Sequence, residues 1–231
     1  SKLFLPHLGS PALLAGNDAA VVGIQPGARL AISTDSHVVW PLFFPGGDIG
    51  KLAVCGTVND VAMLGARPLY LTAGFILEEG VEFELLERVL HSMQQAAQEA
   101  GVQIVAGDTK VVQRGKADGL YITTAGVGVI VGEQEIGGAQ AKPGDAVLLS
   151  GPIGDHGIAV LAARGELGFE TNLTSDLAPL NHMVQNLLEA GIEVHVLRDP
   201  TRGWLGTTLN EIALQSEEGM VIQEPWIPVR P

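Results

Sequence analysis

Apolar and polar positions follow two different periods along the first part of the chain, and these periods predict strands alternating with helices. Short apolar runs predict four strands, at residues 30–33, 69–76, 102–105 and 121–131. Between these runs, apolar residues recur every three or four positions over residues 52–66 and 83–100, which predicts two helices. Gly101 follows the second helix and is predicted to form its left-handed C-terminal cap.

A glycine-rich segment at about residues 132–145 follows, and its Pro143 and Gly144 favour a turn. We therefore expect two domains, at residues 1–135 and 145–231. The second part predicts strands at residues 146–150 and 194–197, helices at about 154–164 and 177–190, and another helix after Gly203. Because this pattern is short for an α/β domain, we expect the second domain to be incomplete.

The composition indicates a globular protein and limits its partners. Of the 231 residues, 46% are hydrophobic and 17% are charged, which allows a sizeable core. The net charge of −13 argues against binding to nucleic acid or anionic membranes, because both need a basic surface. Cys55 is the only cysteine, so no disulfide forms within the chain, and no apolar run has membrane-spanning length. No secretory signal is recognisable at the N-terminus, so we expect a cytoplasmic location.

Acidic residues stand beside small residues at positions from which they could converge. Asp35, Asp108 and Asp155 each come at or just beyond the end of an apolar run, and Asp18 lies in a similar turn. Asp60 lies within the first long predicted helix. Mg²⁺ prefers a few carboxylates together with phosphate oxygens, which such a set could provide. Taken singly, each acid in a turn fits a turn former or a helix cap better than a metal ligand. Asp60 differs, because an acid on an otherwise apolar helix must find a partner or face solvent, and the set as a whole favours the metal site.

Basic residues are scarce, so the positions of two lysines are informative. Lys51 follows a glycine-rich loop at residues 44–50, and Lys110 follows Gly107 and Asp108. Both ammonium groups could meet phosphate, although a solvated surface lysine is the alternative for each. The loop before Lys51 lacks the spacing of a P-loop.

Three further features have more than one interpretation. His156, in Gly-Asp-His-Gly, could be an acid–base group or only a hydrogen-bonding anchor. Asp199 and Arg202 are expected to pair within their turn and to brace the next helix. Cys55 has no histidine close to it in sequence and is interpreted as a small buried apolar residue.

Taken together, seven segments resemble the HypE family of hydrogenase maturation proteins. They are Thr-Asp-Ser at residues 34–36, Pro-Leu-Phe-Phe-Pro-Gly-Gly-Asp-Ile-Gly-Lys at 41–51, Cys-Gly-Thr-Val-Asn-Asp at 55–60, Phe-Ile-Leu-Glu-Glu-Gly at 75–80, Gly-Asp-Thr-Lys-Val-Val at 107–112, Gly-Asp-His-Gly at 154–157 and Arg-Asp-Pro-Thr-Arg-Gly at 198–203. The resemblance runs from about residue 18 to residue 228. The segment at 41–51 is highly specific, because it separates this family from aminoimidazole ribonucleotide synthetase, selenophosphate synthetase and thiamine-monophosphate kinase.

The resemblance implies an α/β (α+β) fold with two domains, like that of aminoimidazole ribonucleotide synthetase. In this fold the N-terminal mixed sheets of two subunits pair in a homodimer, and ATP binds near that interface. The implied activity is an ATP-dependent carbamoyl dehydratase, which turns a protein cysteine S-carboxamide into a thiocyanate and so supplies cyanide ligands for [NiFe]-hydrogenase. The implied partners are a HypF-like carbamoyltransferase and the HypC–HypD complex.

Site residues are carried over position by position from the same resemblance. The implied Mg²⁺ ligands are Asp18, Asp35, Asp60 and Asp108. The positions near ATP are Lys51, Asn59, Gly107, Thr109 and Lys110. The family carries its carbamoyl group on a cysteine at the extreme C-terminus. No counterpart of that cysteine is present, and Cys55 does not inherit the role, so the catalytic residues stay unknown, with His156 as a candidate.

Several departures from the family pattern qualify these expectations. Trp40 stands where the family usually has an acid, and Trp204 replaces the second glycine after Arg202. The missing C-terminal cysteine and the missing N-terminal glycine-rich segment predict a chain cut short at both ends. The alternative hypothesis is a non-catalytic dimeric scaffold that binds nucleotide and docks other hydrogenase maturation factors.

Overall fold

The structure is a computed structural model that describes residues 3–15, 19–165, 168, 171–200 and 204–230. Its strands, numbered in chain order, are β1 (Leu30–His37), β2 (Phe43–Phe44), β3 (Gly47–Asp48), β4 (Ala66–Glu78), β5 (Gln103–Val112) and β6 (Leu120–Ile130). Its α-helices are α1 (Phe4–Leu8), α2 (Pro11–Leu14), α3 (Ile49–Ala62), α4 (Phe83–Ala100), α5 (Asp155–Arg164), α6 (Asn181–Glu189) and α7 (Trp204–Ser216). Within the described ranges, every helix is too short or too polar to cross a membrane.

The four long strands form one mixed sheet in the order β1-β6-β4-β5, and β2 pairs with β3 in a separate hairpin. β6 is antiparallel to both β1 and β4, whereas β4 and β5 are parallel. Parallel neighbours need a long crossover connection, and α4 provides it. The four strands and two helices predicted for this part are confirmed, although β1 and β5 extend further than expected.

The main core lies between the sheet and two helices, α3 and α4. α3 is apolar around most of its circumference, as befits a helix packed between a sheet and a second helix. Its completely shielded residues include Ala53, Val54, Cys55, Thr57 and Val58. The interpretation of Cys55 as a buried apolar residue is therefore confirmed, and burial raises the pKa of its thiol to about 12.

α4 packs directly on α3 through a close backbone approach. A Cβ atom placed on Gly50 would lie 2.5 Å from the carbonyl oxygen of Val89 and 2.9 Å from Cγ of Met93. Only glycine leaves the space that α4 occupies at this point. The helix ends at Gly101, whose φ of 70° gives the predicted left-handed cap.

The two strand predictions in the second half, at residues 146–150 and 194–197, are wrong. Neither segment forms a strand in the described part of the chain, although the carbonyl oxygen of His195 accepts from the backbone N–H of Gly137 at 3.0 Å. A strand needs a neighbour for its backbone N–H and C=O groups, and an apolar sequence alone cannot supply one. Val147 and Leu148 are accordingly exposed, at 62% and 87%. The three helices predicted here are confirmed as α5, α6 and α7, although α6 begins only at Asn181.

Candidate functional site

Two predicted metal ligands, Asp35 and Asp60, lie on the side of the sheet that α3 covers. The expectation that Asp35 ends its strand is wrong, because β1 continues to His37 and Asp35 lies inside it. Oδ2 of Asp35 lies 3.4 Å from the position that a Cβ on Gly56 would occupy. Gly56 and Asp60 are four residues apart on α3 and therefore share a helix face. Asp35 thus lies against the face of α3 that also carries Asp60.

Ser33 links Asp60 to the sheet. Its hydroxyl donates a hydrogen bond of 2.8 Å to Oδ2 of Asp60. Burial raises the pKa of Asp60, the Ser33 hydrogen bond opposes this rise, and the charge of Asp35 adds to it. The two carboxylates therefore repel each other, and a divalent cation between them would relieve that repulsion.

Asp199 approaches this pair from the second half of the chain. Burial first, and then the negative charge of Asp60, raise the pKa of Asp199 to about 6, with a further contribution from Asp35. The expected pairing of Asp199 with Arg202 involves a residue outside the described ranges. The charge of Asp199 is therefore coupled to those of Asp35 and Asp60.

Asp108 and Lys110 lie on the opposite face of the sheet. The expectation that Asp108 ends its strand is also wrong, because β5 continues for several residues beyond it. Asp35 and Gly107 belong to the same cross-strand row, and Asp108 belongs to the next row. Since successive side chains in a strand point to opposite faces, Asp108 points away from Asp35. The chain by itself does not bring these two predicted ligands together.

Asp108 and Lys110 form an accessible ion pair. Nζ of Lys110 lies 2.7 Å from Oδ2 of Asp108, and the side chains are 72% and 69% exposed. The Lys110 hydrogen bond, followed by one from the backbone N–H of Thr109, lowers the pKa of Asp108. Gly107 has a packing role, because a Cβ there would lie 2.8 Å from the carbonyl oxygen of Ala73. Nucleotide contacts of Gly107, Thr109 and Lys110 stay predictions.

The glycine-rich loop before Lys51 is held in a defined shape. Oδ1 of Asp48 caps α3 by accepting from the backbone N–H groups of Gly50 and Lys51, at 2.7 and 3.2 Å. Nζ of Lys51 lies 3.5 Å from the carbonyl oxygen of Gly46. Gly46 has a φ of 90°, and a Cβ on it would lie 2.7 Å from backbone atoms of Ser175. The loop therefore packs against the second half of the chain, and the phosphate contact of Lys51 stays a prediction.

Both polar atoms of the Asn59 side chain are bound by the second half of the chain. Nδ2 donates to the carbonyl oxygen of Ala178 at 3.1 Å, and Oδ1 accepts from the backbone N–H of Leu180 at 2.8 Å. The predicted nucleotide contact of Asn59 is not tested by this arrangement. The two hydrogen bonds give Asn59 a structural role beside Asp60, since they dock the segment before α6 onto α3.

His156 is held by two neighbours from different parts of the chain. Its Nδ1 lies 2.9 Å from Oγ of Ser175, and its ring meets the ring of Phe44 edge to face with centroids 5.3 Å apart. Burial lowers the pKa of His156. These contacts support the interpretation of His156 as a hydrogen-bonding anchor.

Asp35 and Asp60 could hold Mg²⁺ only together with other ligands that complete its coordination shell. Asp18, a further predicted metal ligand, lies outside the described residues. In the described parts of the chain, no three His, Cys, Asp or Glu side chains form a cluster that could hold a metal ion. Mg²⁺ typically takes one or two carboxylates and completes its shell with water and phosphate oxygens. The pair of Asp35 and Asp60 fits that pattern beside a nucleotide.

Known proteins with similar sequences identify the family of this chain. The family described as "AIR synthase related protein, N-terminal domain" matches residues 16–130, and "AIR synthase related protein, C-terminal domain" matches residues 142–231. Carbamoyl dehydratase HypE of Cupriavidus necator is 56% identical over 230 residues, which cover 100% of this chain and 66% of that protein. The chain belongs to the HypE family. It spans about two thirds of the length of the curated HypE relatives that it matches.

Solved HypE structures have the same fold. A structure of HypE in complex with ATP is 55% identical with a TM-score of 0.95, and the match covers 99% of this chain and 68% of that one. A chain from a HypE–HypF complex is 51% identical with a TM-score of 0.85, and the match covers 99% of this chain and 74% of that one. The expected α/β (α+β) two-domain fold is confirmed by these matches.

Asp199 is the acid near the site that the prediction of metal ligands left out. It follows the apolar run at residues 194–197, just as Asp35 follows the run at 30–33. It also lies in one of the segments that carry the HypE resemblance. The pattern that identified the other acids therefore includes Asp199 as well. Asp199 is not among the predicted metal ligands because an ion pair with Arg202 in the same turn would explain its position.

Proposed function

We propose that this HypE family chain binds Mg·ATP and serves in the ATP-dependent dehydration of a protein cysteine S-carboxamide to a thiocyanate. The observation that carries the proposal is the match to HypE in complex with ATP, at 55% identity over 99% of the chain. Curated relatives at 56% identity are named carbamoyl dehydratase HypE. The thiocyanate would supply cyanide ligands for [NiFe]-hydrogenase assembly.

The chemistry assigns different tasks to the acidic and basic residues. ATP supplies a phosphoryl group that makes the amide oxygen, otherwise a poor leaving group, a good one. Asp35 and Asp60 would hold Mg²⁺, and water and phosphate oxygens would complete its coordination shell. Lys51 would balance the charge that develops on the transferring phosphoryl group, and Lys110, on the opposite face of the sheet, could contribute only at the proposed subunit interface.

We further propose a homodimer formed through the sheet face opposite α3 and α4. On that face Ile32 is 69% exposed and Ile76 is 40% exposed. Asp108 and Lys110 share the face, so pairing of two sheets would bring them to the subunit interface. Sedimentation analysis of the wild type and of Ile32→Glu tests this arrangement. A dimeric wild type and a weakened dimer in the variant are expected, and a monomeric wild type would contradict the proposal.

The same reasoning extends to partners and to the organisation of the chain. A solved HypE–HypF complex supports a HypF-like carbamoyltransferase as partner. We propose the HypC–HypD complex as a second partner, from the family resemblance. From the sequence pattern we propose a cytoplasmic location and a division into domains at residues 1–135 and 145–231.

Calorimetry with Mg·ATP tests nucleotide binding. The wild type is expected to bind. Asp60→Asn, which loses a proposed Mg²⁺ ligand, and Asp108→Asn, which loses the carboxylate paired with Lys110, are expected to bind at least about tenfold more weakly, because even the loss of a group that only orients a ligand has an effect of that size. Glu84→Gln removes an exposed charge on α4 and is the matched control, expected to bind like the wild type. No binding by the wild type, or equal binding by all four proteins, would contradict the proposal.

Turnover is tested with a protein extended to the C-terminal cysteine that the family carries. Carbamoyl-dependent ATP consumption by this longer protein is expected. ATP binding without consumption would reject the enzyme and favour the non-catalytic dimeric scaffold. A small-molecule phosphorylation assay separates both from a kinase-like activity on thiamine phosphate.

A further inference from the structure

A buried hydroxyl, that of Thr124 in β6, is the centre of a hydrogen-bond network beside Asp35. Thr124 is completely shielded from solvent. Its Oγ1 lies 3.0 Å from the carbonyl oxygen of Ala53, 2.5 Å from Oγ1 of Thr57 and 3.1 Å from Nε2 of His37. The network therefore joins α3, β6 and β1 at a single atom.

The direction of each hydrogen bond follows from the number of protons available. The carbonyl oxygen of Ala53 can only accept, so Thr124 donates its single hydroxyl proton there. The two lone pairs of Thr124 Oγ1 then accept from the hydroxyl of Thr57 and from His37. His37 must carry a hydrogen on Nε2 to make this bond, whichever protonation state its other nitrogen has.

The His37 ring, fixed by its hydrogen bond to Thr124, also packs beside the carboxylate of Asp35 at a distance too long for a second hydrogen bond. Nε2 lies 3.7 Å from Oδ2 of Asp35, and Asp35 is the cross-strand partner of Thr124 in the β1–β6 ladder. The other oxygen, Oδ1, accepts from the backbone N–H of Ser36 at 2.8 Å. On the α3 side, Oδ2 is bounded by Gly56. Each carboxylate oxygen therefore has a defined neighbour.

We propose that His37, oriented by the Thr124 hydroxyl, is a positioning residue that holds the Asp35 carboxylate in the orientation in which it acts together with Asp60. The inference rests on the proposed function, because the ion that Asp35 and Asp60 would share is the Mg²⁺ of that proposal. His37 does not bind the ion. It acts as outer-shell groups do, by limiting the orientations of a ligand carboxylate so that less freedom is lost on binding.

Two matched pairs of variants separate the hydrogen bond from the packing of these buried side chains. Thr124→Val keeps the shape of the side chain and removes the hydroxyl, whereas Thr124→Ser keeps the hydroxyl. His37→Leu removes the donor, whereas His37→Gln keeps an N–H group near the position of Nε2. Circular dichroism melting establishes that each variant is folded at the temperature of measurement.

Two affinities are measured for each folded variant. One is the affinity for Mn²⁺, a paramagnetic substitute for Mg²⁺, in the presence of ATP by electron paramagnetic resonance. The other is the affinity for ATP in the presence of EDTA. Thr124→Val and His37→Leu are expected to lose about tenfold or more in Mn²⁺ affinity. Thr124→Ser and His37→Gln are expected to keep it, and metal-free ATP affinity is expected to be the same in all four variants.

The possible failures are distinguishable. Wild-type Mn²⁺ affinity in both Thr124→Val and His37→Leu would overturn the positioning role and leave the proposed function standing. Equal losses in the donor-keeping and donor-lacking variants would also overturn it, since the effect would then come from packing. A wild type that binds no Mn²⁺ in the presence of ATP would overturn the proposed site and the positioning role together.

Discussion

The hydroxyl of Ser33 in β1 donates a hydrogen bond of 2.8 Å to Oδ2 of Asp60 in α3. This bond connects the sheet with the helix that covers it, at the point where two acids approach each other. Burial raises the pKa of Asp60, and the Ser33 hydrogen bond is the largest influence that opposes the rise. Ser33 therefore favours the ionised form of Asp60, which is the form that binds a divalent cation.

Replacing Ser33 by alanine is expected to raise the pKa of Asp60 further, because the charged carboxylate loses its donor. Metal binding should then require a higher pH than in the wild type. Titration of the aspartate carboxyl signals by ¹³C NMR measures the change. Ser36→Ala is the matched control, because Ser36 lies on the same strand but on the opposite face, with Oγ 3.4 Å from Thr123. Equal shifts of Asp60 in both variants would contradict the expectation.

Replacing Asp199 by asparagine is expected to stabilise the protein at neutral pH and to weaken metal binding. Burial and the charge of Asp60 raise the pKa of Asp199 from 3.8 to about 6. A carboxyl group with a raised pKa contributes its full stability below the unfolded value and loses it as the pH rises through the folded value. One pKa unit corresponds to about 1.4 kcal/mol, so the effect is large enough to measure.

Thermal melting of the wild type and of Asp199→Asn between pH 4 and pH 8 checks the direction of this pH dependence. The variant stays neutral, so it should melt at a higher temperature than the wild type at pH 7 and at nearly the same temperature near pH 4. If the two proteins differ in melting temperature by the same amount at both pH values, ionisation of Asp199 is not the cause of the difference.

A single methyl group on Gly50 is expected to destabilise the contact between α3 and α4. The added Cβ would lie 2.5 Å from the carbonyl oxygen of Val89, and a backbone atom cannot move aside without moving α4. Overpacking of this kind destabilises a core by about 1–3 kcal/mol. Gly206→Ala is the matched control, because nothing lies within 4 Å of the added Cβ in α7. That control should be neutral or stabilising by up to about 1 kcal/mol in urea unfolding, since alanine is the better helix former.

Local features of the fold could be predicted from the sequence because their causes are local. The bounds of α4 at Phe83 and Ala100 match the predicted helix. Both the apolar period and the cap at Gly101 depend only on residues close together in sequence. The strand predictions at residues 146–150 and 194–197 failed because pairing depends on a neighbour elsewhere in space.

The arrangement of the acids needed more than local patterns. Asp35 and Asp108 both follow apolar runs, yet they lie on opposite faces, because each strand continues past its acid and the register of β1, β6, β4 and β5 decides the face. Asp199 is coupled to Asp60 although the two residues lie far apart in sequence, so this relationship depends on how the second half of the chain packs in space. Neither relationship can be obtained without the tertiary structure.

A pH-dependent contact joins the linker to the second half of the chain, and His195 is its centre. Nδ1 of His195 lies 2.9 Å from Oδ2 of Asp145, and Nε2 lies 2.9 Å from Oε1 of Glu193. A neutral imidazole has one N–H group, so only the protonated ring can donate to both carboxylates. The hydrogen bond to Glu193, followed by that to Asp145, raises the pKa of His195. Nζ of Lys142 lies 3.2 Å from Nε2 of His195 and 3.7 Å from Glu193, and its positive charge opposes this rise in the pKa of His195.

The expected pH dependence follows from the direction of that shift. A raised histidine pKa means that the contribution of His195 to stability is complete below 6.5 and is lost as the pH rises through the folded-state value. Melting temperatures measured across this range should fall in the wild type and fall less in His195→Gln. Lys142→Met should raise the pKa of His195 further in an NMR titration, because a competing positive charge is removed. Added salt should shrink both effects, since these charges lie near the surface. A His195 ring that titrates below 6.5, or a Lys142→Met variant in which its pKa falls, would mean that the two carboxylates do not hold the protonated ring.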